Sequence, residues 1–385
     1  MIDDKISTRA KAIKPSGTLA VNKKAAELMA AGEQIINLSV GEPDFDTPDF
    51  IKNSAIKSIQ EGFTKYTDSS GIKQLRQAIC NRFEKDNGLE YEPDQIIVSC
   101  GAKHSLFNIL LAICNIGDEI IIPAPYWVSY PEMVKIAGAI PIICRYHDNF
   151  RIDIEYLKSI ITNKTKALIL NSPSNPTGVV YSKKELETIA EIICEKGIIV
   201  ISDEVYEKFI YDNAKHISIA SLNKQIKELA IIVNAVSKTY AMTGWRIGYL
   251  AAPLSIAKAV ANIQSQTTSN PTSFAQKAAL TAICSNQSEV EKMVGEFEKR
   301  RNHIIENISG LITYCKPEGA FYVLMKIGNM PSSQLAQKLL EEEKIAVVGG
   351  DDFGAPGFIR ISFATGIENI KEAIIRINRF AEEVR

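Results

Sequence analysis

The sequence predicts an α/β protein whose central parallel sheet is covered by helices on both faces. Short, wholly apolar, β-branched runs recur between about residues 93 and 250, and longer helical patterns separate them. Strands that are apolar on both faces must be covered on both sides, and parallel strands need crossover connections. The length of 385 residues exceeds that of one typical domain and favours two.

Five apolar runs form the predicted strands of this sheet. In chain order they are DQIIVSC, GDEIIIPA, KALILNSP, GIIVISDE and ELAIIVNAV. The predicted helices between them are HSLFNILLAI, YPEMVKIAG and SKKELETIAEIICEKG. Because this alternation is typical of α/β architecture, we predict a large domain over residues 47–290.

The two ends of the chain have a different pattern. They contain long amphipathic helices, such as EVEKMVGEFEKRRNHIIENI, and strand patterns such as GAFYVLMKI and GFIRISFA. We expect residues 1–46, which form an N-terminal arm, to join residues 291–385 in a second, smaller α+β domain.

Composition excludes several classes of protein. Apolar residues make up 46% and charged residues 23%, which is ordinary for a globular protein, and a net charge of −1 gives no reason to expect nucleic acid or a membrane surface as partner. No apolar run reaches the roughly 20 residues that span a bilayer, and no signal peptide is recognisable. The seven cysteines form no CxxC pair and no metal-binding pattern; they are residues 80, 100, 114, 144, 194, 284 and 315. We therefore expect a cytoplasmic protein with reduced thiols and no metal site.

Polar residues at the predicted strand ends are the candidate functional residues, because ligands of open α/β sheets bind there. In SCGAKHS, a strand passes through Gly101 into a helix whose first N–H groups, at Ala102 and Lys103, can bind an anion. A plain strand–turn–helix junction is the commoner origin of this pattern. In NSPSNPTG, Asn175 places an amide that can donate to a ring oxygen or bind a carboxylate, although the same residues also form ordinary loops.

Two further strand ends carry charged residues. In ISDEVY, Asp203 ends an apolar run and needs a cationic partner, which a protonated pyridine nitrogen can provide; Tyr206 could reach a phenolic oxygen on the same ring, and a helix N-cap is the alternative role for Asp203. In AVSKTYAMTGWRIGYL, desolvation would make Lys238 a nucleophile, and Arg246 could hold a phosphate. A phosphate site, a carboxylate, a ring-oxygen donor and an amine together match pyridoxal 5'-phosphate.

The chain resembles the class I aminotransferases among the fold-type I pyridoxal-phosphate enzymes, and more closely the bacterial aspartate aminotransferase branch that includes aspartate/prephenate aminotransferases. The resemblance runs end to end. Its segments are KPSGTLAVNKKAAEL, VGEPDFDTP, KYTDSSGIKQLR, APYWVSYPEM, NSPSNPTG, SDEVY, SKTYAMTGWRIGYL, GAFYVL and FIRISFAT. One departure is a shorter link between GAFYVLMKIG and SSQLAQKLLEEE than this branch has.

The resemblance implies a role for each matching residue. Lys238 binds the cofactor covalently and then moves the substrate proton, and Asp203 keeps the pyridine nitrogen protonated. Asn175 and Tyr206 bind the ring oxygen, and Trp127 stacks on the ring. The implied phosphate ligands are Ser237, Arg246, Ala102, Lys103 and, from a second subunit, Tyr66, which makes a homodimer the expected unit.

The resemblance also implies the substrates, which are L-aspartate with 2-oxoglutarate and, as a further possibility, prephenate. Arg360 and Gly41 bind the α-carboxylate beside Trp127 and Asn175, and Lys103 binds the distal carboxylate. Lys14 matches a position linked to prephenate.

Three alternatives to the aspartate enzyme are consistent with parts of this pattern. They are a pyridoxal-phosphate lyase, an aminotransferase for alanine, aromatic amino acids or kynurenine, and a ligand-sensing regulator with an aminotransferase-like domain. The regulator is the least expected, because no helix-turn-helix pattern precedes the arm.

Overall fold

The computed structural model describes residues 3–15 and 17–384. The strands are β1 (Ile36–Asn37), β2 (Ile96–Ser99), β3 (Glu119–Pro123), β4 (Ile140–Cys144), β5 (Thr165–Asn171), β6 (Ile199–Asp203), β7 (Ala230–Ala235), β8 (Gly248–Ala251), β9 (Ile312–Tyr314), β10 (Tyr322–Ile327), β11 (Ile345–Ala346), β12 (Val348–Gly349) and β13 (Ile359–Ser362). The α-helices are α1 (Thr8–Lys11), α2 (Gly17–Ala30), α3 (Asp49–Gln60), α4 (Lys73–Asn87), α5 (Ala102–Ile113), α6 (Ser129–Ile136), α7 (Ile154–Ile160), α8 (Lys183–Lys196), α9 (Lys224–Leu229), α10 (Val236–Thr239), α11 (Leu254–Thr267), α12 (Ser273–Cys284), α13 (Ser288–Asn307), α14 (Ser332–Glu341) and α15 (Ile367–Glu383).

The central sheet has seven strands in the order β2-β8-β7-β6-β5-β3-β4. Its pairs are parallel except those of β8, which runs antiparallel to both β2 and β7. Gly248, the first residue of β8, therefore lies opposite Ser99 and Ala235, the last residues of β2 and β7. Apolar clusters cover both faces of the sheet, so the predicted α/β class is confirmed.

The sequence analysis did not predict β4 and β8. β4 is an edge strand, and two of its side chains, Ile140 and Ile143, are 46% and 38% exposed, so it lacks the continuous burial that marks the inner strands. β8 has only four residues and begins with a glycine, which weakens its β signal. Both strands are recognisable only through their pairing partners.

Helix α8 shows how local sequence sets the covering layer. Ser182 accepts a hydrogen bond from the Glu185 N–H, and the Glu185 carboxylate accepts one from the Ser182 N–H in return. Gly197 ends the helix in a left-handed conformation (φ 63°). Between these signals, Ile189 and Ile193 are fully buried in the cluster on one face of the sheet.

A smaller sheet lies outside the central one. Strands β12-β13-β10-β9 form an antiparallel sheet, and β1 pairs in parallel with β11. The Ser362 N–H also donates to the Leu38 carbonyl at 2.8 Å. The segment around residues 36–38 therefore lies against the C-terminal part of the chain. The domain limits at residues 46 and 290 stay a prediction, and α13 begins two positions before the second limit.

Two simpler expectations concern membranes and thiols. Over the described ranges, no helix combines the length and the apolarity that a membrane crossing requires. All seven cysteines are unpaired; Cys80 and Cys144 are buried, whereas Cys284 is exposed.

Candidate active site

A cavity of about 480 Å³ lies at the carboxyl ends of β5, β6 and β7. Eleven of the thirteen residues selected from the sequence line it: Gly41, Ala102, Lys103, Trp127, Asn175, Asp203, Tyr206, Ser237, Lys238, Arg246 and Arg360. These residues come from both ends of the chain and from four strand ends of the central sheet. The cavity therefore has the position that open α/β sheets give to their ligands.

Lys238 projects into the cavity from α10, the short helix that follows β7 directly. Its Nζ donates a hydrogen bond to the Gly41 carbonyl at 2.5 Å. Burial lowers the pKa of Lys238 to about 8, and Arg360 and Arg246 contribute in the same direction, while Glu42 opposes the shift. At pH 7 about a tenth of this amine would therefore be neutral, far more than for an ordinary lysine, and the neutral form is the one that acts as a nucleophile or a base.

Asp203 ends β6 and is 3% exposed. The Tyr130 hydroxyl donates to its Oδ2 at 2.6 Å, and the Val205 N–H donates to its Oδ1 at 3.3 Å. Burial is the main cause that raises the pKa of Asp203, to about 6, and the Tyr130 hydrogen bond opposes that shift. Residues 205–208, directly after Asp203, form a turn and not an α-helix, so the alternative role of Asp203 as a helix N-cap is wrong. A buried carboxylate of this kind would gain from a cation in the cavity.

An anion cradle, formed by Gly101, the N-terminus of α5 and Arg246, lies at one end of the cavity. Gly101 has φ 88°, and a Cβ there would lie 2.2 Å from the Arg246 Nη2. A Cβ on Gly248 would lie 2.2 Å from the Ala102 nitrogen. The two glycines thus let an arginine and a helix N-terminus approach each other, and both attract negative charge.

Arg360, on β13, lies on the side of the cavity that faces the smaller sheet. It is 2% exposed, and its guanidinium donates to Asn175 Oδ1 at 2.9 Å and to the Ser39 carbonyl at 2.8 Å. Its Nε has no hydrogen-bond partner among the described residues. The Tyr322 ring lies 4.4 Å from the guanidinium carbon, and burial lowers the pKa of Arg360. No carboxylate in residues 3–15 and 17–384 forms an ion pair with it, so it can receive one from a ligand.

Comparison with known proteins gives the family. The model of the family "Aminotransferase class I and II" matches residues 33–377. The chain belongs to this family. As an aminotransferase it is similar to the aspartate aminotransferase of Bacillus sp. (strain YM-2), with 48% identity over 98% of this chain and 99% of that protein. It is 45% identical to a probable aspartate/prephenate aminotransferase of Aquifex aeolicus, over 98% of this chain and 99% of the relative.

Solved structures support the same family. The aspartate aminotransferase of Thermus thermophilus with maleate superposes with a TM-score of 0.94 at 41% identity, and the alignment covers 97% of this chain and 99% of that one. The aspartate aminotransferase of Rhizobium meliloti has a TM-score of 0.94 at 37% identity over 99% of both chains. The resemblance and the fold-type I architecture that the motifs predict are thus confirmed.

Two predicted residues of the aminotransferase lie outside the cavity. Tyr66 is 88% exposed, which is compatible with its predicted role in the site of a second subunit. The Lys14 side chain is exposed, and its backbone N–H donates to Glu132 Oε2 at 3.0 Å. The structure of a single chain does not bring either side chain to the other site residues.

Several residues at the aminotransferase site were not selected from the sequence. Tyr130, in the first turn of α6, lies three positions after Trp127, which precedes that helix, and the two rings meet edge to face at 5.3 Å. The Tyr322 hydroxyl lies 2.9 Å from that of Tyr206, a contact that links positions 116 residues apart. Ser39, likewise, touches Arg360 across 321 positions, and no local pattern indicates it.

The donors in the cavity fit pyridoxal phosphate. The anion cradle suits its phosphate, the buried carboxylate of Asp203 suits a protonated ring nitrogen, and the amine of Lys238 suits its aldehyde. The Lys103 ammonium lies 4.8 Å from the centroid of the Trp127 ring at the cavity wall. Burial lowers the pKa of Lys103, and Arg246 adds to this effect.

Proposed function

We propose that this aminotransferase is a pyridoxal-phosphate-dependent aspartate aminotransferase. It would transfer the amino group reversibly between L-aspartate and 2-oxoglutarate, giving oxaloacetate and L-glutamate by a ping-pong scheme, with prephenate as a further amino acceptor. The observation that carries the proposal is one cavity that combines the Lys238 amine, the buried Asp203 carboxylate, the anion cradle and Arg360 without a carboxylate partner. The names of the relatives support the choice of aspartate.

The cofactor, when bound, supplies an electron sink that stabilises negative charge at the substrate α-carbon. Asp203 would hold its ring nitrogen protonated, while Tyr130 fixes the other carboxylate oxygen. Asn175 and Tyr206 would bind the ring oxygen, and Trp127 would cover the ring face. The residues proposed to bind the phosphate are Ser237, Arg246, Ala102, Lys103 and the partner's Tyr66.

Lys238 is the proposed proton carrier. Its Nζ would take the proton from the substrate α-carbon and deliver it to the former aldehyde carbon of the cofactor. General acid–base catalysis is most efficient when the pKa lies near the working pH, and the lowered pKa of Lys238, about 8, meets this condition. Glu42 is a nearby negative charge that limits how far this pKa falls.

The substrate carboxylates have separate proposed partners. Arg360 would bind the α-carboxylate through two parallel N–H groups, with the Gly41 backbone and the Asn175 side chain beside it. Lys103 would bind the distal carboxylate of aspartate or glutamate, because its ammonium lies at the cavity wall beside Trp127. Lys14 remains the proposed contact for prephenate.

A homodimer is the proposed unit, since Tyr66 can serve an active site only from a partner chain. Because Gly41 and Arg360 lie in the regions assigned to the smaller domain, substrate binding would draw the two domains together and exclude water. A cytoplasmic location remains part of this proposal.

The experiment that tests the function is a visible absorbance spectrum of the protein after reconstitution with pyridoxal phosphate. L-aspartate, L-glutamate, L-alanine and L-phenylalanine are then added separately. We expect the two dicarboxylic amino acids to change the cofactor band fastest. A response mainly to alanine or phenylalanine would overturn the substrate, and a protein without a cofactor band would overturn the function.

A second measurement distinguishes the lyase. An aminotransferase without an amino acceptor stops after one turnover per site, so the oxo acid formed cannot exceed the number of sites. Continued accumulation of an oxo acid under these conditions would identify a lyase instead.

A further inference from the structure

The segment of residues 241–246, named here the cradle loop, connects the helix of Lys238 to β8 and ends at the arginine of the anion cradle. Its first and last residues both have a left-handed backbone, with φ 51° at Ala241 and φ 58° at Arg246. Residues other than glycine seldom adopt this conformation unless their surroundings hold them there. The conformation of the cradle loop therefore depends on contacts from outside it.

Thr47 supplies two of these contacts from a distant part of the chain. Its hydroxyl donates to the Ala241 carbonyl at 2.6 Å and accepts from the Trp245 Nε1–H at 3.0 Å. One hydroxyl thus joins both halves of the cradle loop to the segment between β1 and α3. Thr47 itself does not line the cavity.

The segment between β1 and α3 also contacts the middle of the cradle loop, through Glu42. The Thr243 hydroxyl donates to Glu42 Oε2 at 2.6 Å. The Thr243 carbonyl in turn accepts from Arg246 Nη1 at 2.9 Å, while Arg246 Nη2 donates to the Cys100 carbonyl at 3.2 Å. The direction of the arginine side chain therefore depends on where the cradle loop places this carbonyl.

We propose that Thr47 is a positioning residue for the cofactor phosphate. By fixing both halves of the cradle loop, its hydroxyl keeps the Thr243 carbonyl in place and so aims Arg246 at the anion cradle. The effect is expected to be selective, because the Thr47 hydroxyl bonds to Ala241 and Trp245 of the cradle loop and has no hydrogen bond to Lys238 or Asp203. This inference rests on the proposed function, since it assumes that the anion is the phosphate of pyridoxal phosphate.

The test measures binding to the cofactor-free protein by equilibrium dialysis. Two compounds are compared: pyridoxal phosphate, and pyridoxal, which has the same ring and aldehyde without the phosphate. Thr47→Val removes both hydrogen bonds at nearly unchanged shape, and Thr47→Ser is the matched control that keeps the hydroxyl. We expect Thr47→Val to lower the affinity for pyridoxal phosphate roughly tenfold. Its affinity for pyridoxal, and both affinities of Thr47→Ser, should match the parent protein.

Two results would overturn the role of Thr47. One is an unchanged affinity of Thr47→Val for pyridoxal phosphate; the other is an equal loss for both compounds, which would indicate a general structural defect. If Thr47→Val does not fold, Trp245→Phe removes only the indole hydrogen bond, and a smaller but equally selective loss is expected there. Unselective or absent loss in that variant would also overturn the proposal.

Binding to the parent protein distinguishes a failure of the proposed Thr47 role from a failure of the proposed function. If it binds pyridoxal phosphate while the Thr47 variants show no selective loss, only the role of Thr47 fails. If it binds neither compound, the proposed function fails, and the inference about Thr47 fails with it.

Discussion

The two halves of the cavity are built in different ways. The cofactor half, with Asp203, Lys238 and the anion cradle, comes from consecutive strand ends of one sheet. The carboxylate half, with Gly41 and Arg360, comes from segments near opposite ends of the chain that meet beside the smaller sheet. The first half is placed by turns that directly follow rigid strands, with its cradle loop held by residues 42–47, whereas the second depends throughout on how distant segments pack. Chemistry on the cofactor should therefore be separable from recognition of the amino acid.

Lys238→Ala should give the largest effect. It removes the reactive amine of the cofactor half and, with it, one hydrogen bond to the Gly41 carbonyl of the carboxylate half. Loss of the proton carrier is expected to lower turnover by roughly a thousandfold or more. Binding of pyridoxal phosphate through the anion cradle should remain, because the substitution leaves Arg246 and the start of α5 in place. Turnover is measured with L-aspartate and 2-oxoglutarate, and binding by dialysis. Turnover close to that of the parent would contradict the assignment of Lys238.

Arg360→Lys tests the carboxylate half. A lysine keeps the positive charge but loses the paired N–H groups, so kcat/KM for L-aspartate is expected to fall about a hundredfold. Affinity for pyridoxal phosphate should stay within about twofold of the parent value if the two halves are separable. A parallel loss of cofactor affinity would show that the halves are coupled through Asn175, which Arg360 contacts.

Tyr130→Phe tests, within the cofactor half, whether the hydrogen bond to Asp203 contributes to cofactor binding. The phenol hydrogen bond holds the pKa of Asp203 down, so its removal should raise that pKa further above about 6. Hydrogen bonds to a charged group contribute about 1.5–3 kcal/mol, which corresponds to at least a tenfold loss of cofactor affinity. The Tyr130 ring and its contact with Trp127 are kept by phenylalanine, so KM for aspartate should change little. An unaltered cofactor affinity would show that Tyr130 only packs.

The last expected effect concerns stability and not activity, and it is a pH dependence of unfolding in the cofactor-free protein. Lys238 has a pKa of about 8 when folded and an ordinary value of 10.5, so the unfolded chain binds more protons between these pH values. Stability from this group therefore rises as pH increases from about 8 to 10.5, by at most about 3 kcal/mol. In Lys238→Met this rise should be absent, and the variant should be the more stable protein at pH 7. Thermal unfolding across this range measures the difference; identical pH profiles would mean that burial does not shift the pKa of Lys238.

The contrast between the halves also explains what the sequence could predict. Each proposed cofactor-binding motif is contiguous, so strand and turn patterns were enough to mark SCGAKHS, ISDEVY and AVSKTYAMTGWRIGYL as candidate sites. The partners of Arg360 were not, because Ser39 and Tyr322 reach it only after the smaller sheet has assembled. Strands β4 and β8 were missed for a related reason: β4 is half-exposed at an edge of the sheet, and β8 begins with a glycine, so both are recognised only from their pairing partners.

The reversed direction of β8 has a consequence for the spacing of the reactive groups. Gly248 lies opposite the last residues of β2 and β7. The chain therefore enters β8 at the same end of the sheet at which it left β7. Lys238 and Arg246 therefore lie in one short connection, from β7 to β8, that begins and ends at the carboxyl end of β7. In the proposed function, the length of this connection limits how far the Lys238 amine can lie from the phosphate site at Arg246. Insertions in the β7–β8 connection should be far less tolerated than insertions in the connection from β6 to β7, which crosses to the opposite end of the sheet.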